Sequence, residues 1–386
     1  MKNRYEFLDA LRGIAILGVI ILHVSIFTVN AETRFIFRAV GEGARGVQLF
    51  YIVSALTLFL SLHSSHYLGK VSQTLKYFLR RFFRIAPLFY SILFFICFFT
   101  FIIPLDFFSY VQKDILNFVS TFSFTNSFFP VYINNIIPGQ WSIAVEMLFY
   151  LLVPIFFLKI KNLSNAKKYF LYSLIFATFV ELILPIMFPQ VLSDDWKFFL
   201  FFSLPIQLPT FMLGFISFFL IYDKDGEKKS ANNKTTIDTI KYLFCATLIS
   251  EILFVLTKFI ILKQIDVSLI TPRIYIESVI LVCLVLALAN GYLPILKNKL
   301  FQFFGKISYG LYLTHFLTLM LISKLPIYIK IAKYINNVYI EYIFLLIITL
   351  IAGSIISYIT YMFIETPGQK LGKIISDKFI KEKTIQ

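Results

Sequence analysis

A histidine and an arginine interrupt the first apolar stretch of the chain, LDALRGIAILGVIILHVSIF at residues 8–27. Arg12 and His23 are eleven residues apart, so a helix places them on one stripe, about 16 Å apart along its axis. Considered alone, Arg12 is typical of a basic anchor near the membrane surface, and Asp9, three residues earlier, can pair with it. Considered alone, His23 is typical of a residue that makes a hydrogen bond between helices. Together they favour a polar seam facing a cavity, where an imidazole could act as a general base.

A carboxylate stands in a second apolar stretch, QWSIAVEMLFYLLVP at residues 140–154. Ser142, Glu146 and Tyr150 are spaced four apart, so they share one face of a helix. A lone glutamate within a membrane span indicates a functional site. A buried structural ion pair is the alternative interpretation of Glu146.

A third group of polar residues lies in GKISYGLYLTHF, residues 305–316. Ser308, Tyr312 and His315 fall on one helix face. Small and polar residues also hold neighbouring membrane helices together, so a structural role is the stronger alternative here. The spacing nevertheless allows this face to extend the polar seam.

Basic residues cluster in KYFLRRFFRIAPLFY, residues 76–90, just before an apolar stretch. Lys76, Arg80 and Arg84 share one helical face, and Arg81 and Arg84 are three residues apart. The cluster could anchor the chain to anionic lipids. Alternatively it could dock a phosphate, because the planar guanidinium can bind two oxygens at once.

The composition places these side chains in a membrane protein. Of the 386 residues, 59% are hydrophobic and 15% charged, and the mean hydropathy is +0.81. Apolar runs near the length of a bilayer-spanning helix recur along the chain. We therefore predict an all-α, polytopic integral membrane protein with no separate soluble domain. It would have about ten transmembrane helices, near 10–29, 47–63, 86–103, 139–158, 169–188, 198–222, 240–262, 274–292, 307–323 and 339–363.

The net charge of +15 follows from topology rather than from nucleic-acid binding. Lys and Arg concentrate in the N-terminus, alternate loops and the C-terminus, which predicts that both termini are cytoplasmic. A cleaved signal peptide is a weaker interpretation of the N-terminus, because Asp9 and Arg12 fit its apolar core poorly. The three cysteines lie in apolar runs and offer no metal-ligand spacing, so we expect no metal.

The sequence resembles the acyltransferase-3 family of integral-membrane O-acyltransferases. The similarity runs in order along nearly the whole chain, and no single motif carries it. Its elements are LDALRGIAILGVIILH with the family's Arg-x10-His spacing, GVQLFYIVSA, RRFFRIAPLFY with Arg-x-x-Arg, QWSIAVEMLFYLLVP, ISYGLYLTH and the closing FIETP.

The resemblance implies transfer of an acyl group, most often acetyl, from acetyl-CoA to a hydroxyl. The implied acceptor is a cell-surface glycan or lipid-linked glycan, such as lipopolysaccharide O-antigen, capsule or another exopolysaccharide. The implied location is a bacterial-type inner membrane. His23 matches the family's catalytic base, and we expect Arg12 and Glu146 to act with it. We expect the donor to be bound by Arg80, Arg81 and Arg84, and substrates to be oriented by Trp141, Ser142, Tyr309 and His315.

Two positions depart from the family pattern. Ser54-Ala55 replaces the usual Ser-Gly, which puts a close backbone approach at Ala55 in doubt, and Met147 replaces a second glutamate. We predict a transmembrane domain at 1–367 and a short basic cytoplasmic tail at 368–386. A transporter or flippase of glycan precursors is the main alternative function, although the paired repeats typical of transporters are not evident. A structural or sensory membrane protein is the third, and the oligomeric state stays open.

Overall fold

The computed structural model describes residues 5–28, 40–67, 69–102, 114–187, 199–223, 226–229, 233–262, 271–335 and 337–384. These ranges are mainly α-helical and contain no β-strand, which confirms the predicted all-α class. The helices are α1 (Glu6–Thr28), α2 (Gly46–Ser64), α3 (Val71–Cys97), α4 (Ile115–Phe122), α5 (Gln140–Lys159), α6 (Leu163–Met187), α7 (Leu204–Ile221), α8 (Asn233–Leu262), α9 (Thr271–Asn290), α10 (Lys299–Lys306), α11 (Ser308–Lys324), α12 (Pro326–Tyr334), α13 (Val338–Thr360) and α14 (Thr366–Thr384).

Each of the ten predicted spans falls on a helix, but the count of ten is not confirmed. Within the described ranges, six helical segments are long and apolar enough to cross a bilayer. A seventh span results if α11 and α12, bent by 71° at their junction, are counted together. The apolar part of α9, Ile274–Asn290, is shorter than these spans.

Helix α1 packs against α2, α10, α11 and α13. Its backbone meets that of α10 directly. A Cβ at Gly305 would lie 1.7 Å from the carbonyl oxygen of Asp9, and one at Gly13 would lie 2.0 Å from that of Phe301. Glycine at both positions therefore allows the crossing that fixes the first turns of α1, where Arg12 lies.

Helix α7 packs against α2, α6 and α9, and its contact with α2 bears on one departure from the family pattern. Ala55 is fully buried. A Cβ added at Gly214 would lie 2.4 Å from the Ile52 carbonyl oxygen and 2.6 Å from the Ala55 Cβ. The close approach at this point is thus made by a glycine on the facing helix.

Helices α13 and α14 form one continuous helical segment, joined by a π-helical turn at Tyr361–Glu365. Its apolar segment, Val338–Lys378, has 41 residues and would be about 60 Å long, twice the hydrocarbon thickness of about 30 Å. The segment predicted as a short basic tail, residues 368–386, belongs to α14 and is helical as far as Thr384. It lies along α3, where Asp377 pairs with Lys76 at 2.8 Å and with Arg80 at 3.1 Å.

Candidate active site

A cavity lies between α1, α2, α3, α5 and α11. Its wall is rich in cations and hydroxyl groups, and Glu146 supplies the single carboxylate of that wall. The lining side chains are Arg12, Val47, Phe50, Tyr51, Ser54, Thr57, Arg81, Arg84, Ile85, Ser142, Ile143, Glu146, Tyr150, Ser308, Tyr309 and Tyr312. The lining has three guanidinium groups and one carboxylate, and Asp9 pairs with one of the guanidinium groups from outside the lining. The remaining positive charge favours an anionic ligand.

Arg12 is the cation that α1 contributes. Its guanidinium lies 3.4 Å from Asp9 Oδ1, the pairing that their three-residue spacing predicts. It also donates a hydrogen bond to Thr57 Oγ1 on α2 at 3.0 Å. These two contacts hold the side chain across the α1–α2 boundary at the cavity wall.

Arg81 and Arg84 come from successive turns of α3. Among the described residues, no carboxylate lies within ion-pair distance of either guanidinium. Arg81 Nε is buried and has no hydrogen-bond partner there, and its guanidinium lies 5.8 Å from the ring centroid of Tyr77. Arg81 and Arg84 are therefore two cations that face one cavity and have N–H donors available for a ligand.

Arg80 is placed differently from its neighbour. Its Nε donates to Ser376 Oγ at 3.3 Å, and a terminal nitrogen donates to Asp377 at 3.1 Å. It is exposed and does not line the cavity. The structure thus separates Arg80, which ties α3 to α14, from Arg81 and Arg84.

Glu146 is held by two hydroxyl donors on the cavity wall. Ser54 Oγ on α2 donates a short hydrogen bond to Glu146 Oε1, and Tyr150 Oη, one turn along α5, donates to the same oxygen at 2.7 Å. The Ser54 contact was not predicted as part of the site, although the Ser-Ala departure drew attention to that position. These contacts fix the carboxylate in the same cavity as the arginines.

Three hydroxyl-bearing residues close another part of the wall. Ser142 Oγ and Tyr312 Oη lie 2.7 Å apart, and both also lie within hydrogen-bond distance of the Gly139 carbonyl oxygen. Tyr309 Oη donates to the Ile85 carbonyl oxygen at 2.7 Å. These bonds join α11 to the start of α5 and to α3.

Trp141 follows the start of α5 but is not among the lining residues. Its ring stacks on Phe202 with centroids 4.1 Å apart, and it meets Tyr51 edge-on at 6.5 Å. Tyr51, unlike Trp141, does face the cavity. Trp141 therefore supports the wall from behind.

His23 and His315 form a pair outside the cavity lining. His23 Nδ1 lies 2.8 Å from His315 Nε2, and the rings stack with centroids 5.0 Å apart. Phe316 packs against His23 at 4.3 Å. The ring of His315 lies 5.8 Å from that of Tyr312, which does line the cavity. Tyr312 is thus the neighbour through which the pair borders the arginine-lined space.

The predicted site residues therefore separate into two groups. Those on the cavity wall are Arg12, Arg81, Arg84, Ser142, Glu146 and Tyr309; those away from it are His23, Arg80, Trp141 and His315. Sequence reasoning did not include Thr57 or Tyr51, which only the packing of α2 brings to the wall. Within the described ranges, no group of His, Cys, Asp and Glu residues could hold a metal ion.

Comparison with known proteins gives the family. The model of the acyltransferase-3 family, described as an acyltransferase domain, matches residues 5–362. The O-acetyltransferase OatA of Staphylococcus aureus strain NCTC 8325 / PS 47 is 25% identical over 382 residues, which are 95% of this chain and 57% of OatA. The S. aureus protein SACOL0978 of strain COL is 25% identical over 388 residues, 96% of this chain and 58% of that protein.

The chain thus spans less than two thirds of the length of these relatives. No solved structure matches it. The family model covers most of the chain and includes every element of the site described above. The protein belongs to the acyltransferase-3 family of membrane proteins.

Proposed function

We propose that this protein is a membrane O-acetyltransferase that moves an acetyl group from acetyl-CoA to a hydroxyl of a cell-surface glycan. The observation that carries the proposal is the convergence of Arg12, Arg81 and Arg84 on one cavity. Family membership and the names of the O-acetyltransferase relatives support the reaction class.

The donor site is assigned to the arginine side of the cavity. Coenzyme A carries several phosphate charges, and two guanidinium groups without a carboxylate partner among the described residues suit such a ligand. Arg81 and Arg84 would hold the phosphates, and Arg12 would guide the pantetheine arm towards α1.

The reaction needs a base because a sugar hydroxyl is a poor nucleophile. His23 is the proposed base, with its ring paired to His315. The thioester would reach this ring past Tyr312, the cavity residue that contacts His315. Glu146 and Ser142 are the groups on the wall that could orient the acceptor hydroxyl. A water-poor site would also protect the thioester from hydrolysis.

The acceptor is proposed as a class. Lipopolysaccharide O-antigen, capsule and other exopolysaccharides, free or lipid-linked, all present hydroxyl groups close to a membrane. We place the enzyme in a bacterial-type inner membrane with both termini in the cytoplasm, where acetyl-CoA is made. The proposed catalytic unit is residues 1–367, with the helix beyond Thr366 braced on α3 through Asp377.

The proposal is tested with protein purified in lipid nanodiscs and acetyl-CoA labelled in the acetyl group. Glycan extracted from the native membrane is the acceptor. We expect label on the glycan together with an equal amount of free coenzyme A thiol. A flippase or transporter of glycan precursors would bind glycan yet release no thiol, and that result would overturn the proposal.

A further inference from the structure

The hydrogen-bond contacts of the His23–His315 pair determine which ring nitrogens carry protons. His315 is fully buried, and its Nδ1 lies 3.1 Å from the Leu311 carbonyl oxygen, one turn earlier on α11. A carbonyl oxygen can only accept a hydrogen bond, so the proton of this contact must belong to His315 Nδ1. The backbone of α11 thereby decides which nitrogen of His315 is protonated.

The protonation of His315 in turn fixes that of His23. A neutral imidazole carries one proton, so with Nδ1 protonated, His315 Nε2 presents a lone pair. That nitrogen is 2.8 Å from His23 Nδ1, which must then be the donor. In neutral His23 the remaining nitrogen, Nε2, is left without a proton.

The surroundings of His23 and His315 favour the neutral form of both rings. Among the described residues no carboxylate contacts either imidazole, and the neighbours in ring contact are Phe316 and Tyr312. A charge on His315 without an acidic partner would be costly in such surroundings. The chain of donors from Leu311 to His23 therefore has a single direction.

We propose that His315 is a positioning residue that holds His23 with Nδ1 protonated and Nε2 free, which makes Nε2 the basic atom of the site. This inference rests on the proposed acetyl transfer. It adds that Nε2 is the atom of His23 that accepts the proton, and that the contact with His315 fixes this protonation state. It assigns His315 to His23 rather than to direct contact with the substrate.

The proton balance of the reaction agrees with this assignment. The acceptor oxygen forms a bond to the acetyl carbon while its proton moves to His23 Nε2, and the carbon–sulfur bond breaks. The imidazolium that forms still donates from Nδ1 to His315 Nε2, so the new charge keeps its hydrogen bond. The proton on Nε2 then passes to the departing thiolate, which leaves as coenzyme A thiol, and His23 returns to its starting form.

The direct test measures the tautomer without any substrate. Protein labelled with ¹⁵N at histidine is placed in bilayers at mildly alkaline pH, and nitrogen resonances are recorded by solid-state NMR. The chain has four histidines, and the His23 signals are assigned by their loss in His23→Gln. We expect a protonated Nδ1 and a bare Nε2 for His23 in the wild-type protein. A proton on His23 Nε2 would overturn the inference whether or not the protein transfers acetyl groups.

Kinetics of two variants test the consequence. His315→Leu removes the acceptor and should lower kcat by about 10- to 100-fold, with KM for acetyl-CoA unchanged. His315→Gln retains an oxygen that can accept from His23 Nδ1 and should recover part of the loss. Equal activity of the Leu and Gln variants, both folded, would contradict a positioning role. If both unfold, the wild-type spectrum still decides.

A matched control is available on α2. His63 Nδ1 lies 3.0 Å from the Phe59 carbonyl oxygen, the same one-turn contact that His315 makes. His63 does not line the cavity. His63→Leu should therefore leave kcat within about twofold of wild type, and a loss as large as that of His315→Leu would mean that the contact serves helix stability alone.

Discussion

The hydroxyl groups of Tyr312 and Ser142 lie 2.7 Å apart on the cavity wall, and the Tyr312 ring also packs 5.8 Å from His315. One side chain thus belongs both to the wall of the proposed donor site and to the surroundings of the imidazole pair. In the proposed mechanism, the acetyl group would pass this residue on its way to an acceptor near His23.

Tyr312→Phe keeps the ring and removes its hydroxyl, so it tests whether the bond to Ser142 matters for passage. We expect kcat to fall about tenfold, equivalent to about 1.4 kcal/mol, with acetyl-CoA affinity unchanged. The control is Tyr90→Phe, which removes a hydroxyl bonded to the Phe122 carbonyl oxygen outside the cavity. Equal rates for the two variants would show that the hydroxyl of Tyr312 has no catalytic part.

Donor affinity should depend on which arginine is removed. Charge-assisted hydrogen bonds contribute about 1.5–3 kcal/mol each, so Arg81→Ala or Arg84→Ala should weaken acetyl-CoA binding about 10- to 100-fold. Arg84→Lys should recover only part, because lysine cannot bind two oxygens in a fixed fork. Isothermal calorimetry on purified protein measures the effect.

Arg80→Ala is the matched control for these variants, since Arg80 lies on the same helix but pairs with Asp377. We expect its acetyl-CoA affinity to stay within about twofold of wild type. If all three alanine variants bind acetyl-CoA as tightly as the wild-type protein, the arginines are lipid anchors and the donor site lies elsewhere.

The charge of Glu146 should oppose donor binding while its hydrogen bonds maintain the site. Glu146→Gln keeps an oxygen for Ser54 and Tyr150 but removes the one carboxylate of the cavity wall. Charges about 10 Å apart interact by about 1–2 kcal/mol at an effective dielectric constant near 20. We therefore expect several-fold tighter acetyl-CoA binding together with a lower kcat.

The control for the change in net charge is Glu227→Gln, an exposed residue outside the cavity. It should alter neither the affinity nor the rate. Weaker donor binding by Glu146→Gln would instead show that the carboxylate holds the arginines in their binding positions.

Topology can be tested with single cysteines in a protein freed of Cys97, Cys245 and Cys283. Ser123 and Ser164 are both exposed, and the charge pattern places Ser123 outside and Ser164 in the cytoplasm. In intact cells, an impermeant thiol reagent should label Ser123→Cys and not Ser164→Cys. The reverse pattern would invert the orientation and put the arginine cluster on the outer side.

The sequence predicts the long apolar helices and part of the site. The ten predicted spans fall on ten of the helices, whereas α4, α10, α12 and α14 match no predicted span. The three-residue spacing of Asp9 and Arg12 predicts the pairing seen on α1. It could not choose between Arg80 and Arg81. Neighbouring residues point about 100° apart on a helix, so the rotation of α3 within the bundle decides which of them faces the cavity.

Contacts between distant parts of the chain were beyond sequence reasoning. His23 and His315 are 292 residues apart, and Ser54 and Glu146 are 92 apart. Each residue could be recognised as polar within an apolar stretch, but its partner depends on how the helices pack. The expectation that His23 and Arg12 face one cavity is not met for the same reason, because α11 brings His315 against His23 while Tyr312, and not His23, faces the space that Arg12 lines.

We propose that His23 acts as the base of an acetyl transfer from a donor bound elsewhere in the same protein. The most direct measurement is the rate of labelled acetyl transfer by His23→Gln under saturating acetyl-CoA, on protein whose donor affinity has been confirmed by calorimetry. We expect normal donor affinity and a rate about 10²- to 10⁴-fold below wild type. A His23→Gln protein that binds acetyl-CoA normally and transfers acetyl at close to the wild-type rate would contradict it.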